Sequence, residues 1–185
     1  DFGDLMAFLD VFSEGEAEFA AGIADAIDLD EWLRAFVFMA VSGATDHYGI
    51  GAQHNVQLYL DPDGRAYLFP HDLDFYGGDA LSGLVQNGDL ARLLRLEGVQ
   101  RRFYAQLADV LQNTYNDAYM AHWRDQLGAL LPSQPFASHH AYIVQRSDYL
   151  MNDAPNAVTK VYPYVPFAVA KPQDGVLEAT RGTIQ

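Results

Sequence analysis

The sequence predicts an α+β fold that is mostly helical and has one β-hairpin near its middle. Apolar residues recur at helical spacing over most of the chain, whereas residues 54–70 alternate between apolar and polar side chains. A turn signal, Asp61-Pro62-Asp63-Gly64, divides this alternating stretch into two strands. With 185 residues, half of them hydrophobic, the chain is long enough for one sizeable core.

Three helices are expected before the hairpin. The first two are short and carry apolar residues on one face, and a capping box over residues 13–16 indicates the start of the second. The third is expected from Glu31 to about Ser42, with Asp28 or Asp30 as its N-cap and Gly43 at its end. This third helix is apolar nearly all round, which is typical of a helix at the centre of a core.

The hairpin is expected to bring polar residues at its open end close together. Its first strand carries apolar side chains on one face (Val56, Leu58 and Leu60), and the proline and glycine of the turn suit a short connection. A turn centred on residues 62–63 pairs Asn55 roughly with Pro70 and His71. Because cross-strand neighbours lie about 5 Å apart, Asn55 and Asp72 can share a ligand.

Four more helical stretches and an extended tail are expected after the hairpin. The helices are predicted to cover, in order, residues 90–96 with Asp89 as N-cap, a stretch from Val99, a stretch from Asn116 or Asp117 to Leu131, and Ser138 to Leu150. From Ala154 the chain is expected to be extended, with a strand-like stretch at Val158–Val169. We therefore divide the chain into a helical unit containing the hairpin, residues 1–152, and a Pro-containing tail or linker, residues 153–185.

The charge and composition of the chain narrow the classes of partner. The net charge of −14 disfavours nonspecific binding to nucleic acid or to an anionic membrane surface. The absence of Cys excludes disulfides, thiolate metal sites and cysteine nucleophiles. No apolar run reaches the roughly 18 residues of a membrane span. Four arginines within residues 92–102 could bind a phosphorylated substrate, but a solvated helix face with internal ion pairs is the favoured interpretation.

Carboxylates and one amide around the hairpin are the candidate functional groups. Asp72 and Asp74 are alternate residues at a strand end. Together with Asn55 they offer the oxygen ligands that Mg²⁺ prefers, usually one or two carboxylates plus phosphate oxygens. Asp46 lies in a loop after the buried helix and suits a general base for a hydroxyl nucleophile. In the alternative interpretation these side chains make local turn hydrogen bonds and nothing more.

Three histidines near the same hairpin, His47, His54 and His71, suggest zinc as a second kind of metal site. Carboxylates outnumber them, however, and no pair of potential ligands lies at helical spacing. The oxygen-ligand interpretation is therefore favoured.

These motifs together resemble the core of the spore-coat CotH kinase family. The resemblance rests on the Asp46 loop, on His54-Asn55-Val56-Gln57-Leu58-Tyr59, on the Asp-Pro-Asp-Gly turn and on Tyr67-Leu68-Phe69-Pro70-His71-Asp72-Leu73-Asp74. It covers roughly residues 1–150. It implies the helical C-terminal lobe of a protein-kinase-like fold, with the hairpin carrying the metal-site residues.

The resemblance also implies an activity, which is transfer of the γ-phosphoryl group of ATP to Ser or Thr of a secreted or surface protein. By resemblance, Asp46 matches the catalytic-loop Asp and Asn55 the metal-binding Asn. Asp72 or Asp74 matches the Asp that holds Mg²⁺ or Mn²⁺ and, through the metal, the ATP phosphates. A secreted or cell-surface location follows from the same resemblance.

Two departures from the family pattern leave a second interpretation open. His71 stands where the family usually has Trp, and no Lys precedes Lys160. We therefore expect a missing N-terminal lobe to supply the phosphate-binding Lys, and the isolated lobe to be inactive. The alternative is a catalytically inactive surface, coat or adhesion module that keeps the fold. A carboxylate-pair hydrolase using Asp46 with Asp72 or Asp74 ranks last.

Overall fold

The structure is a computed structural model that describes residues 2–52, 54–74 and 76–161. Within these ranges it has eight α-helices and one two-stranded antiparallel sheet, none of the helices being long and apolar enough to cross a membrane. In chain order the elements are α1 (Phe2–Ser13), α2 (Glu16–Ala26), α3 (Leu29–Ser42), a 3₁₀ turn (Tyr48–Ile50), β1 (Val56–Leu60), β2 (Ala66–Pro70), α4 (Gly88–Leu93), α5 (Val99–Asn113), α6 (Asp117–Leu130), α7 (Phe136–Asp148), a π-helical turn (Tyr149–Asp153) and α8 (Val158–Val161). This confirms a mostly helical α+β fold.

Helix α3 lies at the centre of the core, as its apolar sequence predicts. The Asp28 carboxylate caps its start by accepting a hydrogen bond from the Glu31 amide at 3.0 Å. Between the two candidate caps, the structure therefore selects Asp28 over Asp30. Most apolar side chains of the helix are buried, Trp32 among them. The helix ends at Gly43, whose φ of 61° is left-handed and suits glycine.

The two strands pair in the expected register and are fixed to the start of α3. The Trp32 indole N–H donates to the Ala66 carbonyl at 2.9 Å. The Leu68 amide donates to the Glu31 carboxylate at 2.8 Å. Ala66 and Leu68 are buried, whereas Leu58 on the same face remains 40% exposed. The hairpin is thus anchored through its second strand.

The arginine-rich stretch at α4 and α5 faces the N-terminal helices. Arg92 and Arg95 both bind the Glu16 carboxylate, at 3.1 and 3.2 Å. Arg102 binds Asp30 at 2.6 Å. These contacts confirm the interpretation of this region as a helix face with internal ion pairs.

Two predicted helix starts were wrong. The capping box over residues 13–16 does not form, because Gly15 is the N-cap of α2 and Ser13 ends α1 with its hydroxyl bonded to the Leu9 carbonyl. Helix α4 is capped by Asn87, which accepts from two amides of the first turn, and Asp89 lies inside the helix. In both places a side chain that the local pattern assigned to a cap is bonded elsewhere.

The chain beyond the π-helical turn differs from the expected extended tail. Val158–Val161 forms a helix, α8, and Val158 is buried in the core. Lys160 holds this helix by donating to the carbonyls of Asp153 and Ala154 at 2.8 and 3.0 Å. The strand-like interpretation is therefore wrong for residues 158–161, and its remainder lies outside the described residues. The division of the chain at residue 153 stays a prediction.

Candidate active site

The C-terminal end of α3 is the point to which the loops of the candidate site attach. The last four carbonyls of a helix have no partner within the helix and must find one elsewhere. Here the Met39 carbonyl accepts from the Ser42 hydroxyl at 2.8 Å, and the Val41 carbonyl accepts from the Tyr115 hydroxyl at 2.6 Å. The two remaining carbonyls, those of Ala40 and Ser42, are bound by residues that come much later in the chain.

The Ala40 carbonyl is bound by a buried arginine of α7. Arg146 is 1% exposed, and its Nε and Nη2 atoms donate to the Ala40 carbonyl at 3.1 and 2.8 Å. Its Nη1 atom donates to the carbonyls of Ala80 and Ser82 at 3.0 and 2.6 Å. One guanidinium therefore joins the end of α3 to the loop that follows the two candidate metal ligands.

The Ser42 carbonyl is bound by the backbone of that same loop. The Gly77 amide donates to Ser42 at 3.1 Å, and the Gly78 amide donates to the Gly43 carbonyl at 2.9 Å. A Cβ atom on Gly78 would lie 2.8 Å from the Gly43 oxygen, so the two backbones approach more closely than a side chain there allows. The segment after Asp74 thus runs against the segment that leads to Asp46.

Asp46 and Asn55 are brought together directly. The Asn55 side-chain amide donates to the Asp46 backbone carbonyl at 2.9 Å, and Asp46 is partly buried. The Asp46 Oδ1 atom is buried and has no hydrogen-bond partner among the described residues. An unpaired buried carboxylate oxygen is costly, and a catalytic role or a bound water or ion is among the explanations for such an atom.

Asn55 also leads the chain to Asp72. The His71 amide donates to the Asn55 carbonyl at 3.1 Å, which extends the hairpin by one rung and agrees with the expected pairing. Asn55 and Asp72 have positive φ angles of 55° and 49°, a conformation that residues other than glycine rarely adopt. Strained backbone of this kind clusters at functional sites. The side chains of Asp72 and Asp74 are exposed.

His47 is buried beside Asp46 in a neutral form. Its Nδ1 atom accepts from the Gly49 amide at 2.9 Å, so its proton lies on Nε2, which has no partner among the described residues. Burial lowers the pKa of His47, while the nearby backbone of Ala44 and the charge of Asp46 act against that change. His47 therefore orders the loop after α3.

The zinc interpretation was wrong for the described residues. His54 and His71 are exposed on the hairpin, whereas His47 is enclosed and already bonded. No group of three or more His, Asp or Glu side chains in the described part of the chain is arranged to hold a metal ion. This does not count against Mg²⁺, which typically uses one or two carboxylates and takes its other ligands from water and phosphates. Asp72 and Asp74 offer two exposed carboxylates of the kind that Mg²⁺ uses.

Sequence reasoning missed the groups that hold these loops in place. Arg146 could have been noticed, because it falls at helical spacing between Ile143 and Leu150 on a buried face. Tyr115 and the pair Gly77-Gly78 gave no such signal, since their roles depend on contacts with α3 across the fold.

Comparison with models of protein families identifies the family of this chain. The family model described as CotH kinase protein matches residues 1–153. Comparison with curated proteins and comparison with solved structures each found no match.

Proposed function

Because the chain belongs to the CotH kinase family, we propose that it forms the acceptor-side and metal-binding part of a phosphoryl-transfer site. The reaction is transfer of the γ-phosphoryl group of ATP to a Ser or Thr hydroxyl of a secreted or surface protein. The observation that carries the proposal is the 2.9 Å bond from the Asn55 amide to the Asp46 carbonyl. It joins the segment of the proposed base to the hairpin end that leads to Asp72.

In this proposal Asp46 accepts the proton of the attacking hydroxyl. Support comes from its Oδ1 atom, which has no hydrogen-bond partner among the described residues, so no internal bond competes with a substrate hydroxyl for it. The Asn55 bond is made to the backbone of Asp46, so it restrains the loop without using either carboxylate oxygen of Asp46.

Asn55, Asp72 and Asp74 are the residues proposed to hold Mg²⁺ or Mn²⁺ with ATP. The Asn55 amide nitrogen is occupied by the Asp46 carbonyl, and its side-chain oxygen is the atom suited to a cation. When bound, the metal would neutralise charge on the β- and γ-phosphates, which is most of what phosphoryl transfer requires of a protein site. Asp72 and Asp74 are exposed, which suits carboxylates that bind a metal carried in with ATP from solvent.

The clamp for the ATP phosphates is proposed to lie in an N-terminal lobe outside this sequence. The two lysines of the chain are Lys160 and Lys171. Lys160 is bonded to the carbonyls of Asp153 and Ala154, near the end of α7. It is therefore engaged in holding α8.

The test is transfer of labelled phosphate from ATP by the full-length protein, with Mg²⁺ or Mn²⁺ and a Ser/Thr-containing acceptor. Asp46→Asn should lower kcat by about 10²–10⁴ because it removes the base. Asp72→Asn combined with Asp74→Asn should abolish metal-dependent transfer, because the ligands that hold the metal on the phosphates are lost. Asp63→Asn, an exposed carboxylate in the hairpin turn, is the matched control and should leave transfer unchanged. Full transfer by the Asp46→Asn protein contradicts the proposed role of Asp46.

An inactive module with the same fold is the second candidate, favoured by His71 at the family's Trp position and by the lack of any Lys before Lys160. It predicts that calorimetry of the full-length protein detects no metal-dependent nucleotide binding. Nucleotide binding that requires the metal would support the kinase and contradict the inactive module.

A further inference from the structure

We propose that Arg146 is a positioning residue that locks the Asp46 segment and the Asp72–Asp74 segment into one fixed arrangement. This rests on the proposed function, because it concerns the same two segments. The guanidinium makes four hydrogen bonds to three backbone carbonyls, one before Asp46 and two after Asp74. Each of the two site segments is thus bonded to the same side chain.

The charge of Arg146 is held by carbonyl dipoles and not by a carboxylate. In the described part of the chain no acidic side chain lies within ion-pair distance of it. A buried cation is costly unless polar groups surround it. Here the carbonyl of Ala40 lies in the last turn of α3, where the helix dipole favours positive charge. Burial lowers the pKa of Arg146, but an arginine remains charged at any ordinary pH.

The positions of the three carbonyls give Arg146 control over both segments. Ala40 precedes Asp46 by six residues, while Ala80 and Ser82 follow Asp74 by six and eight. Between these points, the amides of residues 77 and 78 bind the carbonyls of residues 42 and 43. Arg146 therefore closes one end of a backbone ladder, and the end of α3 cannot move away from residues 80–82 without breaking bonds to the guanidinium.

A lysine at position 146 cannot reproduce these hydrogen bonds. The guanidinium is planar and spreads its donors over three nitrogen atoms, which is how it reaches carbonyls from two different segments. An ammonium group presents its donors from one point. Arg146→Lys keeps the positive charge and most of the volume while removing the span, so it separates positioning from charge.

The experiment measures amide hydrogen exchange and phosphoryl transfer on full-length protein with Arg146→Lys and Arg146→Met. Arg34→Met, an exposed arginine of α3, is the matched control. In both Arg146 variants we expect the amides of Gly77 and Gly78 to exchange at least tenfold faster, with α5 amides unchanged. We also expect kcat for transfer to fall at least tenfold, with a smaller change in the KM for the acceptor. Unchanged exchange at Gly77 and Gly78 in Arg146→Lys overturns the proposal.

A measurement on the unaltered protein covers the case in which both variants fail to fold. If Arg146 joins the two segments, the amides of Gly77 and Gly78 open together with those of α7, at the same free energy in native-state exchange. Opening of Gly77 and Gly78 at a lower free energy than α7 overturns the proposal. Exchange does not depend on activity, so a protein that shows the expected exchange but transfers no phosphate refutes the proposed function and leaves the positioning role of Arg146 standing.

Discussion

Substituting Gly43 by Ala tests the turn that sends the chain from α3 into the Asp46 loop. The left-handed φ of 61° costs an alanine about 1–2 kcal/mol. The new Cβ atom would also lie 1.7 Å from the Tyr142 hydroxyl oxygen, so that ring must move. Tyr142 packs edge-on against Tyr76 at 5.3 Å, a contact of about 0.5–1.5 kcal/mol. Forcing a methyl group into packed surroundings adds about 1–3 kcal/mol.

We therefore expect Gly43→Ala to lower the free energy of unfolding by about 2–5 kcal/mol, from the sum of backbone strain and overpacking. Gly64→Ala is the matched control, because Gly64 also has a positive φ, 83°, but a methyl group added there would meet no atom within 4 Å. It should cost about 1–2 kcal/mol, from the backbone alone. Urea unfolding of both variants measures the difference. Equal losses in the two proteins would refute the argument that Tyr142 fixes this turn.

Two further predictions concern His47 and the cap of α3. Because burial lowers the pKa of His47, the unfolded chain binds a proton at this side chain more readily than the folded protein does. The free energy of unfolding should therefore fall as the pH drops below 6.5. The fall is at most about 1.4 kcal/mol per pH unit. His47→Asn keeps an acceptor for the neighbouring glycine amide, so urea unfolding between pH 7 and 5 should give a shallower slope, and an unchanged slope contradicts the assignment. Asp28→Ala removes the cap of α3 and should cost about 0.5–2 kcal/mol. As a control, Asp30→Ala removes one exposed ion pair and should cost no more than about 1 kcal/mol. Thermal unfolding measures both losses, and a larger loss for Asp30→Ala than for Asp28→Ala would show that the cap has been misassigned.

The hairpin and α3 were predictable because their signals are local. Alternation, a Pro-Asp-Gly turn and the resulting register place Asn55 opposite Pro70 or His71 without reference to the rest of the chain, and the structure has His71 there. Helix α3 is marked by its apolar sequence and by Asp28, whose capping partner lies three residues away. Local chemistry of this kind depends on neighbouring residues alone.

The wrong helix starts show where local signals fail. Asp89 has the sequence position of a cap, but its carboxylate accepts from the Tyr48 hydroxyl, and Asn87 caps the helix instead. Tyr48 is 41 positions away, so no local pattern could reveal the competition. The same limit applies to Arg146, which binds a carbonyl 106 positions earlier. The buried face of α7 that carries Arg146 can be predicted from periodicity, but the partners of Arg146 depend on how α7 packs against α3.

The charge distribution explains why the candidate site depends on backbone contacts. Between Arg34 and Arg92 the chain has a single basic side chain, Arg65, against seven acidic ones: Asp46, Asp61, Asp63, Asp72, Asp74, Asp79 and Asp89. Ion pairs within this region therefore cannot hold the carboxylate-bearing loops together.

The loops are held instead by amides on helix-end carbonyls and by one buried guanidinium from outside the region. Such bonds join the backbone before Asp46 to the backbone after Asp74 without neutralising the carboxylates of these residues. The negative charge of Asp72 and Asp74 therefore stays exposed, as the proposed metal-binding role requires. A carboxylate that is paired with a lysine or arginine is a weaker ligand for a metal and a weaker base for a hydroxyl. A phosphoryl-transfer site therefore needs loops that are held by groups other than its own carboxylates.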